Sequence, residues 1–340
     1  MLRAMDSAVA GLRAHQNKMD VVGHNIANVN TYGYKSQQYT FKEAMYQTST
    51  ASTGNNGNAG GVNAAQYGYG TLMGTIGMDM TASTPTYVGG FNASINGDGF
   101  FITSTSLTNT IEDVSDTPIT TINYDYTRVG QFTVDSAGFV VDGNGHYVYG
   151  FRPVDGKPSA DDKGVYTGST IGAVELVPLR APKNDGAGPG NYVFEYDSTE
   201  KALKLGNIQI DQNGKISASV NVTKTTAGAN PGDPAVTEEV TETIYLGTVA
   251  IATFQNPNGL SKIGENYYNA SSGDNTGTSA AATPGTGTTP TLMTGYIEAS
   301  NVDLAKEFAD MITTHRGFQA NSKMITVSDE MLSDLVAMKR

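Results

Sequence analysis

Residues Gly295–Arg340 read GYIEASNVDLAKEFADMITTHRGFQANSKMITVSDEMLSDLVAMKR, without proline and with Gly317 as the one internal glycine. From Leu304, apolar side chains recur at alternating steps of four and three: Phe308, Met311, Phe318, Ile325, Leu332 and Val336. That spacing lays one stripe along a helix with coiled-coil-like period, broken at His315, Ser322 and Asp329. Ser300 or Asn301 is the expected N-cap, with Asp303 in the first turn and Lys339 and Arg340 at the basic end. A helix of that length runs roughly 55 Å at 1.5 Å per residue. Such a rod outreaches a small domain, so part of its stripe needs a partner beyond its own globule.

The other end of the chain carries the same period. Met1, Met5, Ala8, Leu12, His15, Met19, Val22, Ile26 and Val29 fall on one face at steps of four and three. Gly11 and Gly23 each lower helix propensity by roughly 1 kcal/mol, so this helix depends on packing. A plain terminal helix lying on a core is the simpler reading of either end alone. Taken together, with a β-rich interior between them, the ends suggest two helices paired antiparallel. The expected self-assembly residues are Leu12, Met19, Val22 and Ile26, facing Leu304, Phe308, Met311, Phe318, Ile325, Leu332 and Val336.

Two motifs flank these helices. The run Asn25-Ile26-Ala27-Asn28-Val29-Asn30-Thr31-Tyr32-Gly33-Tyr34-Lys35 resembles the NxANxxTxGYK signature of bacterial flagellar rod and hook proteins. Ser300-Asn301-Val302-Asp303, with Gln319-Ala320-Asn321 further on, is similar to the matching C-terminal signature. The resemblance continues in the middle of the chain. Ile95–Phe101 resembles the IxGxGFF element, Tyr126–Asp135 the YTRxGxFxxD strand, and Phe254–Leu260 the FxNPxGL motif. Gly33 is the position expected to need a positive φ.

What the resemblance implies is a structural subunit of the flagellar hook, a bendable tube enclosing an export channel, with a distal rod subunit as the alternative. The implied partners are copies of itself, the distal rod, the hook cap, the hook-length control protein, the hook–filament junction protein and the type III export apparatus. The implied location is the flagellum, reached without a cleaved signal peptide.

Composition agrees with this picture. The chain has no cysteine, which removes disulfides, thiolate zinc sites and thiol catalysis together. Forty glycines suit short strands and tight turns. The net charge of −12 is uneven: residues 1–35 hold four basic and two acidic groups, and residues 301–340 hold five and six. Near-neutral ends can pack against copies of themselves, while an acidic middle keeps an assembly dispersed. Nucleic acid is an improbable partner for such a chain. No run is apolar enough to insert in a membrane, and Arg3, Asp6 and Arg13 interrupt the first apolar stretch.

The expected fold is mainly β with a helical terminal stalk and nested domains. Residues 1–30 and 301–340 form the helical core, and 31–70 with 286–300 a connecting arm. Residues 71–149 with 242–285 form a first β domain, and 150–241 an inserted outer one. Asn96-Gly97 and Asp211–Gly214 read as hairpins. Tyr34–Tyr46 reads as an extended arm or short helix, and 49–65, 225–239 and 271–290 as polar loops.

No catalytic, cofactor or metal residue is assigned. Asp142–Gly145 lacks the further carboxylates of a calcium loop and reads as a turn. The pairs Asp161-Asp162 and Glu238-Glu239 read as solvated surface. None of His15, His24, His146 and His315 lies at dyad spacing from a carboxylate. A secreted β-rich enzyme would share the composition but not the terminal helices, and an adhesin or phage tail tube would lack the end motifs.

Overall fold

A computed structural model describes residues 2–54, 60–111, 119–151, 175–184, 192–193, 204–226, 236–271, 273–287 and 289–338. The chain forms two compact units. The terminal unit comprises residues 1–31, 35–79 and 300–340, and the β unit comprises 32–34 and 80–299.

In the terminal unit, helix α1 spans Leu2–Ala27 and helix α2 spans Leu304–Met338, as the two periodic stretches require. The first turn of α2 is capped by Asp303, not by Ser300 or Asn301. Its Oδ1 accepts from the backbone N–H of Ala305 (2.9 Å) and Lys306 (3.3 Å), while its carbonyl accepts from Glu307 (3.0 Å). An N-cap does both jobs at once, and Asn301 is engaged elsewhere.

Of the two readings of Tyr34–Tyr46 the extended one holds, since Gln37–Glu43 is a strand. Strand β1 (Gln37–Glu43) pairs antiparallel with β4 (Thr71–Met78), and β2 (Tyr46–Thr50) with β3 (Ala65–Gly68), making a two-part ribbon. Alternating Tyr, Thr and Phe give the segment its strand preference despite its polarity. The ribbon reaches Met78, so the terminal unit extends past the residue-70 boundary set from sequence. A Cβ at Gly70 would lie 3.0 Å from the Ser7 carbonyl oxygen, so glycine lets the ribbon approach α1.

The β unit is built on one large antiparallel sheet. Its strands run in the order 208–210, 215–226, 236–249, 147–151, 100–104, 125–127, 267–269 and 261–264. The core gathers Ile95, Phe101, Phe132, Val148, Leu179, Ile216, Ile244, Val249 and Ile251. Strands assigned from sequence to a first and an outer β domain therefore share one sheet and one core among the described residues. Most of 152–203 and all of 227–235, including Asp161, Asp162, Pro231 and Pro234, lie outside those residues.

Two loop assignments and one hairpin are corrected. Ser279–Ala282 is a strand on Ile251–Phe254, its backbone pairing antiparallel with a strand distant in sequence. Of the polar 225–239 stretch, 225–226 and 236–239 are strand, being the ends of Lys215–Thr226 and Val236–Val249, which pair along their length, and 227–235 lie outside the described residues. At Asn96-Gly97 the chain bends without closing a hairpin. Ala93–Ile95 pairs with Leu292–Thr294, whereas Phe100–Ser104 joins the large sheet. The turns at Asp211–Gly214 and Asp142–Gly145 do connect paired strands.

Candidate functional site

The surfaces that bear on function lie in the terminal unit, where α1 and α2 run side by side in opposite directions. Asn25 meets Glu307, Lys18 meets Asp310 at 3.1 Å, His15 faces Gly317 and Gly11 faces Asn321. The meeting faces are small and polar. Ala8, Gly11, Ala14, Val21, Val22 and Asn25 are buried on α1, and Glu307, Thr314 and Ser328 on α2. A Cβ at Gly317 would fall 2.7 Å from the His15 ring, and one at Gly11 2.9 Å from the Asn321 amide. The two backbones thus come close only because those positions have no side chain.

One of the two expected apolar columns on α2 is where its period puts it. Met311, Phe318, Ile325 and Leu332 are half-buried and interleave with Glu307, Thr314, Asn321 and Ser328 at steps of four and three. Leu304, at the start of that column, is exposed, and the other column sits elsewhere, with Phe308 and Val336 exposed. On α1, Val22 is buried, while Leu12, Met19 and Ile26 are half-buried. Reading hydrophobicity alone displaces one column by a residue, because polar side chains occupy the true inner positions. Exposed Ile312, Met324, Val327, Met331, Leu335 and Met338 extend the outward apolar surface. The ribbon adds exposed Met45, Tyr46, Tyr67, Leu72, Met73 and Ile76, and residues 44–78 contain no charged side chain. Large apolar side chains exposed in this number on one unit are the kind of surface that protein contacts cover.

The end motifs act as clamps. Buried Asn25 donates from Nδ2 to the Gln37 carbonyl (2.8 Å) and to Glu307 Oε1 (3.1 Å), and its Oδ1 accepts from the Gln37 N–H (2.9 Å). Burial raises the Glu307 carboxyl pKa, partly offset by the Asn25 hydrogen bond. Glu307 escaped the sequence reading, since an acidic residue in a first turn ordinarily answers the helix dipole. Asn28 ends α1: its Nδ2 donates to the His24 carbonyl (2.9 Å), and its Oδ1 accepts from Thr31 Oγ1 (3.2 Å). Asn301 joins two further segments, accepting from the Ser36 N–H (2.7 Å) and donating to the Asp79 carbonyl (2.8 Å). Ala27, Gln319 and Ala320 are exposed, Ser300 and Val302 half-buried, and Lys35 is buried.

Within the same motif, Tyr32, Gly33 and Tyr34 belong to the β unit. Gly33 adopts φ 66° and donates its N–H to the Glu298 carbonyl at 2.8 Å. Its missing Cβ would lie 2.7 Å from Val129 Cγ2. The Lys262 ammonium sits 4.2 Å over the ring of buried Tyr34, and Asn266 Nδ2 donates to the Tyr32 carbonyl (2.8 Å). Behind this clasp, fully buried Arg128 lies 3.8 Å from Glu298 and donates to the Gly97 carbonyl at 2.7 Å.

One expectation about histidine is corrected. His146 Nδ1 lies 3.4 Å from Asp125 Oδ2, and its ring stacks on Tyr267 at 4.3 Å. Tyr267 donates to Asp142, whose other oxygen accepts from the Asn144 and His146 N–H groups in an Asx-type turn. Strand pairing, invisible in sequence spacing, brings these groups together. Among the described residues no helix is long and apolar enough to cross a membrane, and no group of three ligating side chains forms a metal site.

Comparison with known proteins gives matches over the full chain. Residues 5–35 match the family described as flagella basal body rod protein, and residues 293–338 the flagellar basal body rod FlgEFG protein C-terminal family. The flagellar basal-body rod protein FlgG of Bacillus subtilis (strain 168) is 34% identical over 342 aligned residues, covering 100% of both chains. The flagellar hook protein FlgE of Borreliella burgdorferi is 27% identical over 464, again covering 100% of both. That of Escherichia coli (strain K12) is 25% identical over 435, covering 99% of this chain and 100% of the relative.

Proposed function

The chain belongs to the flagellar rod and hook family of axial structural proteins, and from that premise we propose that it is a hook subunit polymerising through its terminal unit. The observation that carries the proposal is the outward apolar surface of α2, from Phe308 and Ile312 to Leu335 and Met338, on a helix pair whose inner seam is small and polar. A subunit that turns large apolar side chains outward gains stability when neighbours cover them. In this reading α1 and α2 pair as an antiparallel coiled coil in every subunit, and Leu12, Met19, Ile26, Leu304, Phe308 and Val336 contribute to contacts between copies. The tube encloses an export channel and bends as a joint between motor and filament. Its ends meet the distal rod and the hook–filament junction protein, and the cap, length-control protein and type III apparatus act during growth.

A distal rod subunit is the second reading, favoured by the 34% identity to a relative named as a rod protein. The segment 150–241, expected from sequence to mark a hook, does not separate the two, because the rod relative spans this chain end to end over 342 aligned residues. Negative-stain microscopy of the full-length chain under salting-out conditions separates them. Curved tubes are expected for a hook and straight tubes for a rod. Phe308→Asp should leave dispersed particles under the same conditions. Tubes of unchanged yield from that variant would refute assembly through the exposed face of α2.

A further inference from the structure

We propose that His15 is a proton-operated release for the α1–α2 pair: neutral, it lets the two helices close on it, and protonated, it drives them apart. This concerns the fold of the subunit itself and does not depend on whether the polymer is hook or rod.

The argument starts from the space around the imidazole. Gly317 on α2 stands so close that even a methyl group there would touch the ring at 2.7 Å. On the ribbon side, Phe41 lies with its ring centroid 5.3 Å away, tilted by 59°. His15 Nδ1 is buried and has no hydrogen-bond partner. The ring as a whole is half-buried, so a second ring proton adds a charge that water meets on one side while Nδ1 has nothing to donate to, and the neutral form is favoured.

The charged groups nearby do not answer that proton. On its own helix the next turn carries Lys18, a like charge, whose ammonium is held by Asp310 of α2 at 3.1 Å. On α2, Gly317 is flanked by exposed His315 and Arg316, both potential cations. On the ribbon, Phe41 is followed by exposed Lys42 and Glu43. The nearest buried carboxyl, Glu307, is engaged with Asn25. Burial, reinforced by Lys18, accordingly lowers the His15 pKa below its ordinary value.

The sign follows from linkage. Between its folded pKa and the ordinary histidine value of about 6.5, the unfolded chain binds a proton that the folded chain refuses, so stability falls as pH falls through that window. Above about pH 6.5 the group contributes no pH dependence. Glu307 works oppositely: with its pKa raised, the folded unit gains stability as the carboxyl takes up its proton at lower pH.

The test is thermal melting of the full-length chain followed by helical circular dichroism, between about pH 7.5 and about pH 5.5. Both long helices belong to the terminal unit, so the helical signal reports on it. The melting temperature of the wild type is expected to drop as pH falls, and that of His15→Gln to hold or rise across the window, since Glu307 then acts alone in the opposite sense. An equal drop in the variant would overturn the proposal. Should His15→Gln fail to fold, an imidazole NMR titration of the wild type decides the matter. A His15 midpoint below the ordinary value sustains the switch, and one at or above that value sinks it.

Discussion

The two units distribute their side chains in opposite ways. In the β unit the large apolar and aromatic residues are inside: Phe101, Ile102, Tyr126, Val148 and Ile251 are fully buried, and the ionic side chains that join them, Arg128 and Glu298, face each other. In the terminal unit the inside holds glycine, alanine, Asn25, Glu307, Thr314 and Ser328, while Phe308, Ile312, Leu335 and the ribbon's Met45 and Tyr67 stay exposed. A body that buries its own apolar surface is complete when folded. A body that turns it outward gains stability when neighbours cover it, and in the proposed reading the terminal unit is the part of the chain that assembles.

The comparison can be broken most severely at Gly130. A Cβ there would fall 1.7 Å from the Ala93 carbonyl oxygen, where Ala93 also donates its N–H to the Gly130 carbonyl. Gly130→Ala should cost at least about 4 kcal/mol and abolish the near-ultraviolet tyrosine signal of the β unit. A cooperative melt like the parent's would mean this core yields where it is drawn as closed. Next comes Arg128→Met, which removes the cation facing buried Glu298 and should cost about 3–5 kcal/mol in chemical denaturation. Adding Glu298→Gln should recover part of that loss, because it removes the buried charge while an amide oxygen can still accept from the Ser83 N–H.

The terminal unit should respond more mildly. Gly317→Ala improves helix propensity by about 1 kcal/mol yet presses on His15, giving a net loss of roughly 1–2 kcal/mol in the helical melt. A stabilised variant would show that the helices are not in close contact. The smallest stability effect is expected for Phe308→Asp, within about 0.5 kcal/mol for the dispersed subunit, since the side chain is exposed. Its effect on polymer yield should nevertheless be complete. That split between stability and assembly is what the inverted terminal unit requires.

Much of this was legible in sequence. Both helices, the extended strands around the YTRVGQF run and the positive φ of Gly33 follow from period, turn chemistry and motif. The misplaced features share a cause. Leu304, Phe308 and Val336 were set facing α1 because apolar periodicity was taken to mean an intramolecular seam, and the structure uses small and polar residues there instead. Ser279–Ala282 and the strand ends at 225–226 and 236–239 looked like loops because their polar and small composition hides a strand preference satisfied by distant partners. The Asp125–His146 contact was hidden because its members are far apart along the chain.

The sequence alone determined the elements that local physics controls: helix extent from the four–three period, glycine where the backbone must turn, and near-neutral ends on an acidic chain. Only the tertiary structure decided which face of each helix is inside. A period specifies a stripe but not what covers it, and the covering here turns on Gly11, Gly317 and Asn25, whose packing depends on a helix some three hundred residues away in the chain.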